Sequence, residues 1–130
     1  MLKTLNPETA PQPVSPTYSQ AVEGGPGLRW LHISGQVGVD LSGKVQQGAE
    51  AQLDQIWRNL LAILEAAGME PRNLVKVTTF LTRREDIAAS RAARQRHLGD
   101  LRPASTLLIV SGLASPDYLA EIEAVAAKAG

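Results

Sequence analysis

The chain has 130 residues, 44% of them apolar and 20% charged, which is enough apolar surface for a packed core and too much for a disordered segment. That length suits a single domain spanning residues 1–130. Thirteen basic residues balance thirteen acidic ones and there is no cysteine, which argues against nucleic acid or an anionic membrane as a bulk-charge partner and removes disulfides, thiolate nucleophiles and cysteine metal ligands.

Residues 1–16 carry Pro7, Pro11, Pro13 and Pro16 and are expected to cross the surface without regular structure. Tyr18 to Val22 and Leu28 to Val37 read as the two arms of a hairpin around the turn residues Glu23-Gly24-Gly25-Pro26-Gly27. That glycine cluster is not followed by a helix N-terminus, so it is a turn and not a phosphate loop. From Glu50 the period changes. Leu53, Ile56, Leu60, Ile63, Leu64 and Ala67 recur at spacings of three and four, and Gly68 closes the run, which predicts a helix over about 49–67. Asn73 to Leu81 follows as a strand, Glu85 to Leu98 as an alanine-rich helix, Ala104 to Val110 as a strand, and Tyr118 to about Ala126 as the last strand.

The order β-β-α-β-α-β, closed by one further strand, predicts an α+β fold, one mixed sheet with two helices on one face. Two helices cover one face of such a sheet. Yet Val75, Val77 and Leu81 alternate with Phe80, and Leu107 and Ile109 with Leu108 and Val110, so the strands are apolar on both sides. A second copy of the chain is expected over the other face, which makes the protein a homo-oligomer. No signal-like apolar run opens the chain, and no apolar stretch approaches the roughly 20 residues of a membrane span, so a cytoplasmic location is expected and no membrane partner.

On the second helix Ile87, Arg91, Arg94 and Leu98 share a face, while Ala88, Ala89, Ala92 and Ala93 form another that could lie against the sheet. Six arginines fall within residues 83–102, but no aromatic stacking motif accompanies them, so RNA is not the expected ligand. His32 sits in an apolar strand and reads as a core histidine. His97 is isolated from it, so no metal site is expected.

Six segments in order carry a resemblance: Tyr18-Ser19-Gln20-Ala21, Ile33-Ser34-Gly35-Gln36, Asn59-Leu60 with Leu64-Glu65-Ala66-Ala67-Gly68, Val75-Lys76-Val77-Thr78-Thr79-Phe80-Leu81, Pro103-Ala104 and Glu121-Ile122-Glu123-Ala124-Val125-Ala126. Together they resemble the Rid/YjgF family of imine and enamine deaminases, over roughly residues 15–127. The resemblance implies a chorismate-mutase-like fold, a homotrimer with clefts between subunits, and hydrolysis of a small imine or enamine acid by water addition without metal or organic cofactor. It implies Glu121 and the Leu107 carbonyl as the groups that direct water. Tyr18, Ser34, Gly35, Arg91 and Ser105 fall at its substrate-binding positions.

Two of those positions depart from the family. The family arginine that grips the substrate carboxylate is replaced by Ser105, and Arg91 stands where a cleft asparagine is usual; the Gly-Pro before the tyrosine is also altered, to Pro16-Thr17. A hydroxyl lacks the charge-assisted bond of a guanidinium, worth about 1.5–3 kcal/mol. Arg91 or Arg94 could return that charge from the second helix. Two function classes therefore stay open: a hydrolase of the deaminase type, and a catalytically silent trimer that binds a small carboxylate or acts through protein contacts. An RNA-active protein is the third.

Overall fold

The computed structural model describes residues 2–13 and 17–130. Its elements run β1 (Leu2–Leu5), β2 (Ala21–Gly24), β3 (Leu28–Val37), α1 (Ala49–Ala66), β4 (Leu74–Leu81), α2 (Ile87–Leu98), β5 (Ala104–Ile109) and β6 (Ala120–Ala129). The main sheet has four strands in the order β3-β6-β4-β5, with β4 and β5 parallel and the other pairs antiparallel. The fold is α+β, as the element order predicts.

The helix over 49–67 forms as α1, because its apolar stripe has something to cover. Leu53, Ile56, Leu60 and Leu64 are fully buried, together with Trp57. Each such side chain contributes roughly 1.5–3 kcal/mol by leaving water. They meet the inward side of the sheet, formed by Ile33 of β3, Val77 and Leu81 of β4, and Ala120, Ile122, Ala124 and Ala126 of β6. The helix ends at Gly68, whose φ of +71° turns the chain left-handed while its N–H reaches the Glu65 carbonyl at 2.9 Å.

Two polar side chains of α1 lock the loops around it. Gln52 is buried; its Nε2 donates to the carbonyls of Gln46 (3.0 Å) and Asp117 (2.9 Å), while its Oε1 accepts from the Leu119 N–H at 2.8 Å. Asn59 donates to the Val39 carbonyl at 3.0 Å. Gln52 thereby fixes the chain immediately before β6, the strand that carries Glu121.

The N-terminal third departs from expectation. Leu2–Leu5 is a strand and pairs antiparallel with Ala21–Gly24, so the expected hairpin between Tyr18–Val22 and β3 is replaced by a separate two-stranded sheet. Prolines at 7, 11 and 13 confine the irregular stretch to the residues after Leu5; Pro16 lies outside the described residues. Ser19 instead bridges Ala104 in parallel, with its N–H on the Pro103 carbonyl (3.2 Å) and its hydroxyl on the Arg102 carbonyl (2.6 Å). This lays Thr17 and Tyr18 beside the start of β5.

His32 is exposed and not a core residue, because its strand points Leu31 and Ile33 inward and His32 outward. On α2 the buried residues are Ser90, Ala93, Arg94 and Leu98, whereas Ala88 and Ala92 are not buried with them. The alanine face therefore does not pack on the sheet as a unit.

Candidate functional site

A pocket of about 220 Å³ opens between the N-terminal half of α2 and the edge strand β5. It is lined by Thr17, Tyr18, Thr79, Ser90, Arg91, Arg94, Ser105 and Leu107. The register explains the grouping. Ser105 and Leu107 of β5 lie opposite Val77 and Thr79 of β4, on the side of the sheet that faces the helices, and α2 crosses above them.

Arg94 is the central group. Its side chain is 8% exposed, and Nη1 donates to the Ser105 hydroxyl at 2.7 Å. Among the described residues its Nε and Nη2 have no hydrogen-bond partner. Burial away from water lowers its pKa from the ordinary arginine range to about 10, which leaves it protonated at neutral pH. The hydroxyl at 105 therefore does not itself replace a guanidinium; it holds one that arrives from α2. Arg91, one turn earlier, is exposed at the pocket's mouth.

The remaining expected residues lie elsewhere in the same chain. Glu121 is on β6, opposite Val37 of β3 and Phe80 of β4. Its neighbours Ala120 and Ile122 are buried under the helices, so alternation puts Glu121 on the opposite, uncovered face. β6 is interior to the sheet, which excludes reading Glu121 as a carboxylate on an edge strand.

Ser34 and Gly35 form a bulge, two residues of β3 facing one of β6 between the pairs Ile33–Ala124 and Gln36–Ile122. The carboxylate of Glu121 leans over Gly35: a Cβ there would collide with Oε2 and come within 2.8 Å of Cδ. Glycine is required at 35 for this placement. Ser34, on the exposed side, is part of the same group.

The expected residues thus fall into two separate groups. Tyr18, Arg91, Ser105 and Leu107 gather with Arg94 at the β5 edge, while Ser34, Gly35 and Glu121 gather at the bulge. Strands β6 and β5 are two positions apart, roughly 10 Å at 4.8 Å per strand, and the two groups face opposite sides of the sheet.

Sequence reasoning missed Thr79 and Ser90, which are buried at 4% and 6% exposure. The available signal was polarity at positions the periodicity assigns inward: Thr79 between Val77 and Leu81, and Ser90 four residues before Arg94. Among the described residues no cluster of histidine, aspartate and glutamate could hold a metal ion.

A family profile described as Endoribonuclease L-PSP matches residues 7–128. A RutC family protein of Pyrococcus horikoshii is 37% identical over 130 residues, covering 98% of this chain and 99% of its own. The 2-iminobutanoate/2-iminopropanoate deaminase of Salmonella typhimurium is 34% identical over 132 residues, with 98% and 99% covered. The crystal structure of YyfB from Yersinia pestis, a protein of unknown function of the conserved Rid family, superposes with a TM-score of 0.86 at 34% identity, covering 96% of this chain and 97% of that one. The fold and these relatives define the class: the chain belongs to the Rid/YjgF family.

Proposed function

We propose that this protein is a deaminase of the imine-hydrolysing type whose carboxylate-binding guanidinium is Arg94 on α2 instead of a residue of β5. The observation that carries this reading is the buried Arg94 side chain, anchored by Ser105 through one nitrogen and left with Nε and Nη2 unpartnered among the described residues. A buried cation without a counter-charge is costly, and a carboxylate is the anion whose two oxygens match the guanidinium fork. Family membership and the deaminase named among the relatives support the same chemistry.

In this reading the substrate carboxylate lies on Arg94, and its imine carbon is presented near the Leu107 carbonyl. Water, deprotonated by the Glu121 carboxylate, adds to the imine carbon to give a carbinolamine. The proton taken by Glu121 passes to the imine nitrogen as the carbinolamine forms. The carbinolamine hydroxyl then gives up its own proton, which reaches nitrogen through the same carboxylate; the C–N bond breaks, ammonia leaves and the C=O of a 2-keto acid remains. Glu121 lies across the sheet from Arg94 in its own chain, so it is delivered by a neighbouring copy, and the active cleft lies between subunits.

Exchange of the two positions tests this reading. Arg94→Ala is expected to weaken binding of 2-ketobutyrate by about 1.5–3 kcal/mol, the worth of a charged hydrogen bond, and to lower imine hydrolysis with it. Ser105→Arg alone is expected to bring no gain, because it sets a second guanidinium against the first. Combined with Arg94→Ser it should recover part of the lost affinity. Unchanged affinity in Arg94→Ala, measured by calorimetry, would remove Arg94 from the site; binding without turnover in the wild type would leave a silent carboxylate binder.

A further inference from the structure

We infer that the pocket selects substrates with a second acidic group, short 2-imino diacids whose distal carboxylate meets Arg91; this rests on the reading of Arg94 as the cradle of the first carboxylate. The pocket lining contains two guanidiniums and no carboxylate. Neither arginine takes part in the ion pairs formed among the described residues, all of which involve Arg58, Arg72, Arg83, Arg96 or His97. Those four arginines find acidic partners within the chain, and the two that line the cavity do not.

Their placement sorts them by depth. Arg94 is buried and fixed by Ser105, whereas Arg91 is exposed at the rim. Residues three apart on a helix have Cβ atoms about 5–6 Å apart on neighbouring positions, a separation that an extended diacid of four or five carbons can bridge. The same pocket is lined by hydroxyls, Thr79 and Ser90 among them, which can hydrogen-bond a polar chain but add no net charge.

The product side gives stable probes. 2-Ketoglutarate and its distal amide, 2-ketoglutaramate, have the same length and shape and differ in the distal charge. Calorimetry on the wild-type protein is expected to give a preference for 2-ketoglutarate of roughly three- to tenfold, between the worth of an exposed ion pair and that of a charged hydrogen bond. The preference should shrink as salt rises, since Arg91 is exposed. In Arg91→Ala the ratio should fall to about one, and Arg91→Lys should restore most of it.

Equal affinities for acid and amide, with both still dependent on Arg94, would overturn the diacid inference and leave the proposed site intact. A preference that survives Arg91→Ala would overturn it as well. If neither compound binds and Arg94→Ala changes nothing, the site itself is wrong. A stronger response to 2-keto acids bearing a distal phosphate would replace the diacid by a phosphorylated substrate at the same cation.

Discussion

Arg94 carries a cost that the proposed binding of a carboxylate would offset. Lowering its pKa from the ordinary arginine range to about 10 corresponds, at about 1.4 kcal/mol per unit, to a burial penalty on the order of 3 kcal/mol. The penalty is present wherever folded and unfolded chains both hold the proton, below about pH 10. It is relieved as pH rises from there towards the ordinary arginine range, because the folded chain releases its proton first. Arg94→Met keeps much of the length and removes the charge. It is therefore expected to stabilise the protein at pH 7 by up to about 1.5 kcal/mol, after deducting about 1.5–3 kcal/mol for the charged bond lost to Ser105, and that gain should fade above about pH 10. Added keto acid should raise the Tm of the wild type and leave that of the variant unchanged. Thermal melts across pH measure both, and a variant that is less stable yet still responds to ligand would refute the account. Ser105 shows how such a site escapes a motif search: the position looks vacated until a helix residue eleven positions upstream is seen to fill it.

Helix α2 presents Arg94 because both of its ends are tied. At the start Arg83 makes two bonds to the buried Asp86, from Nε at 2.9 Å and Nη2 at 3.0 Å. At the finish Gly99 turns left-handed with φ +58°, and His97 lies 2.6 Å from Asp54 of α1, which Arg58 also approaches at 3.1 Å. The hydrogen bond from His97, aided by the charges of Arg58, His97 and Arg96, holds the Asp54 carboxyl below its ordinary 3.8. A lowered carboxylate contributes its stability above 3.8 and loses it as pH falls through the folded value. Asp54→Asn is expected to cost about 1 kcal/mol at pH 7, the upper range for a partly exposed pair, with the difference from wild type closing in acid; denaturant titrations at the two pH values would show it, and a constant difference would exclude the carboxylate as the cause. The main elements were legible because α1 and the inward strand positions obey one period each. The N-terminal strand was not, because Leu2–Leu5 finds its partner some twenty residues away and four residues hold no period to read. Arg91 and Arg94 could be put on one helical face, yet their depths depend on the edge of β5, which only the fold supplies.

At the scale of the whole molecule, the helices cover one face of the sheet and leave the other bare. Trp30 is 50% exposed and Leu108 46%, with Leu107 and Ile109 exposed along the β5 edge. Phe80 and Val125 lie half-buried on the bare face, in register with Glu121 and Lys76 respectively. Large exposed apolar residues gathered on an edge and a face mark an association surface. In the proposed mechanism the separation of Arg94 from Glu121 makes the same demand, since the two groups face opposite sides of the sheet of one chain. A homotrimer is therefore expected at micromolar concentration, with a copy's β5 edge set against the next copy's bare face. Leu108→Glu places a charge at the centre of that contact and at a position where the single chain is already exposed, so the fold should survive while light scattering falls to the monomer mass. Imine hydrolysis should be lost with the trimer, because the monomer keeps the Arg94 pocket and loses the carboxylate opposite it. A monomeric wild type, or a Leu108→Glu monomer that still turns over imine, would break the link between assembly and chemistry and require a water-activating group within one chain.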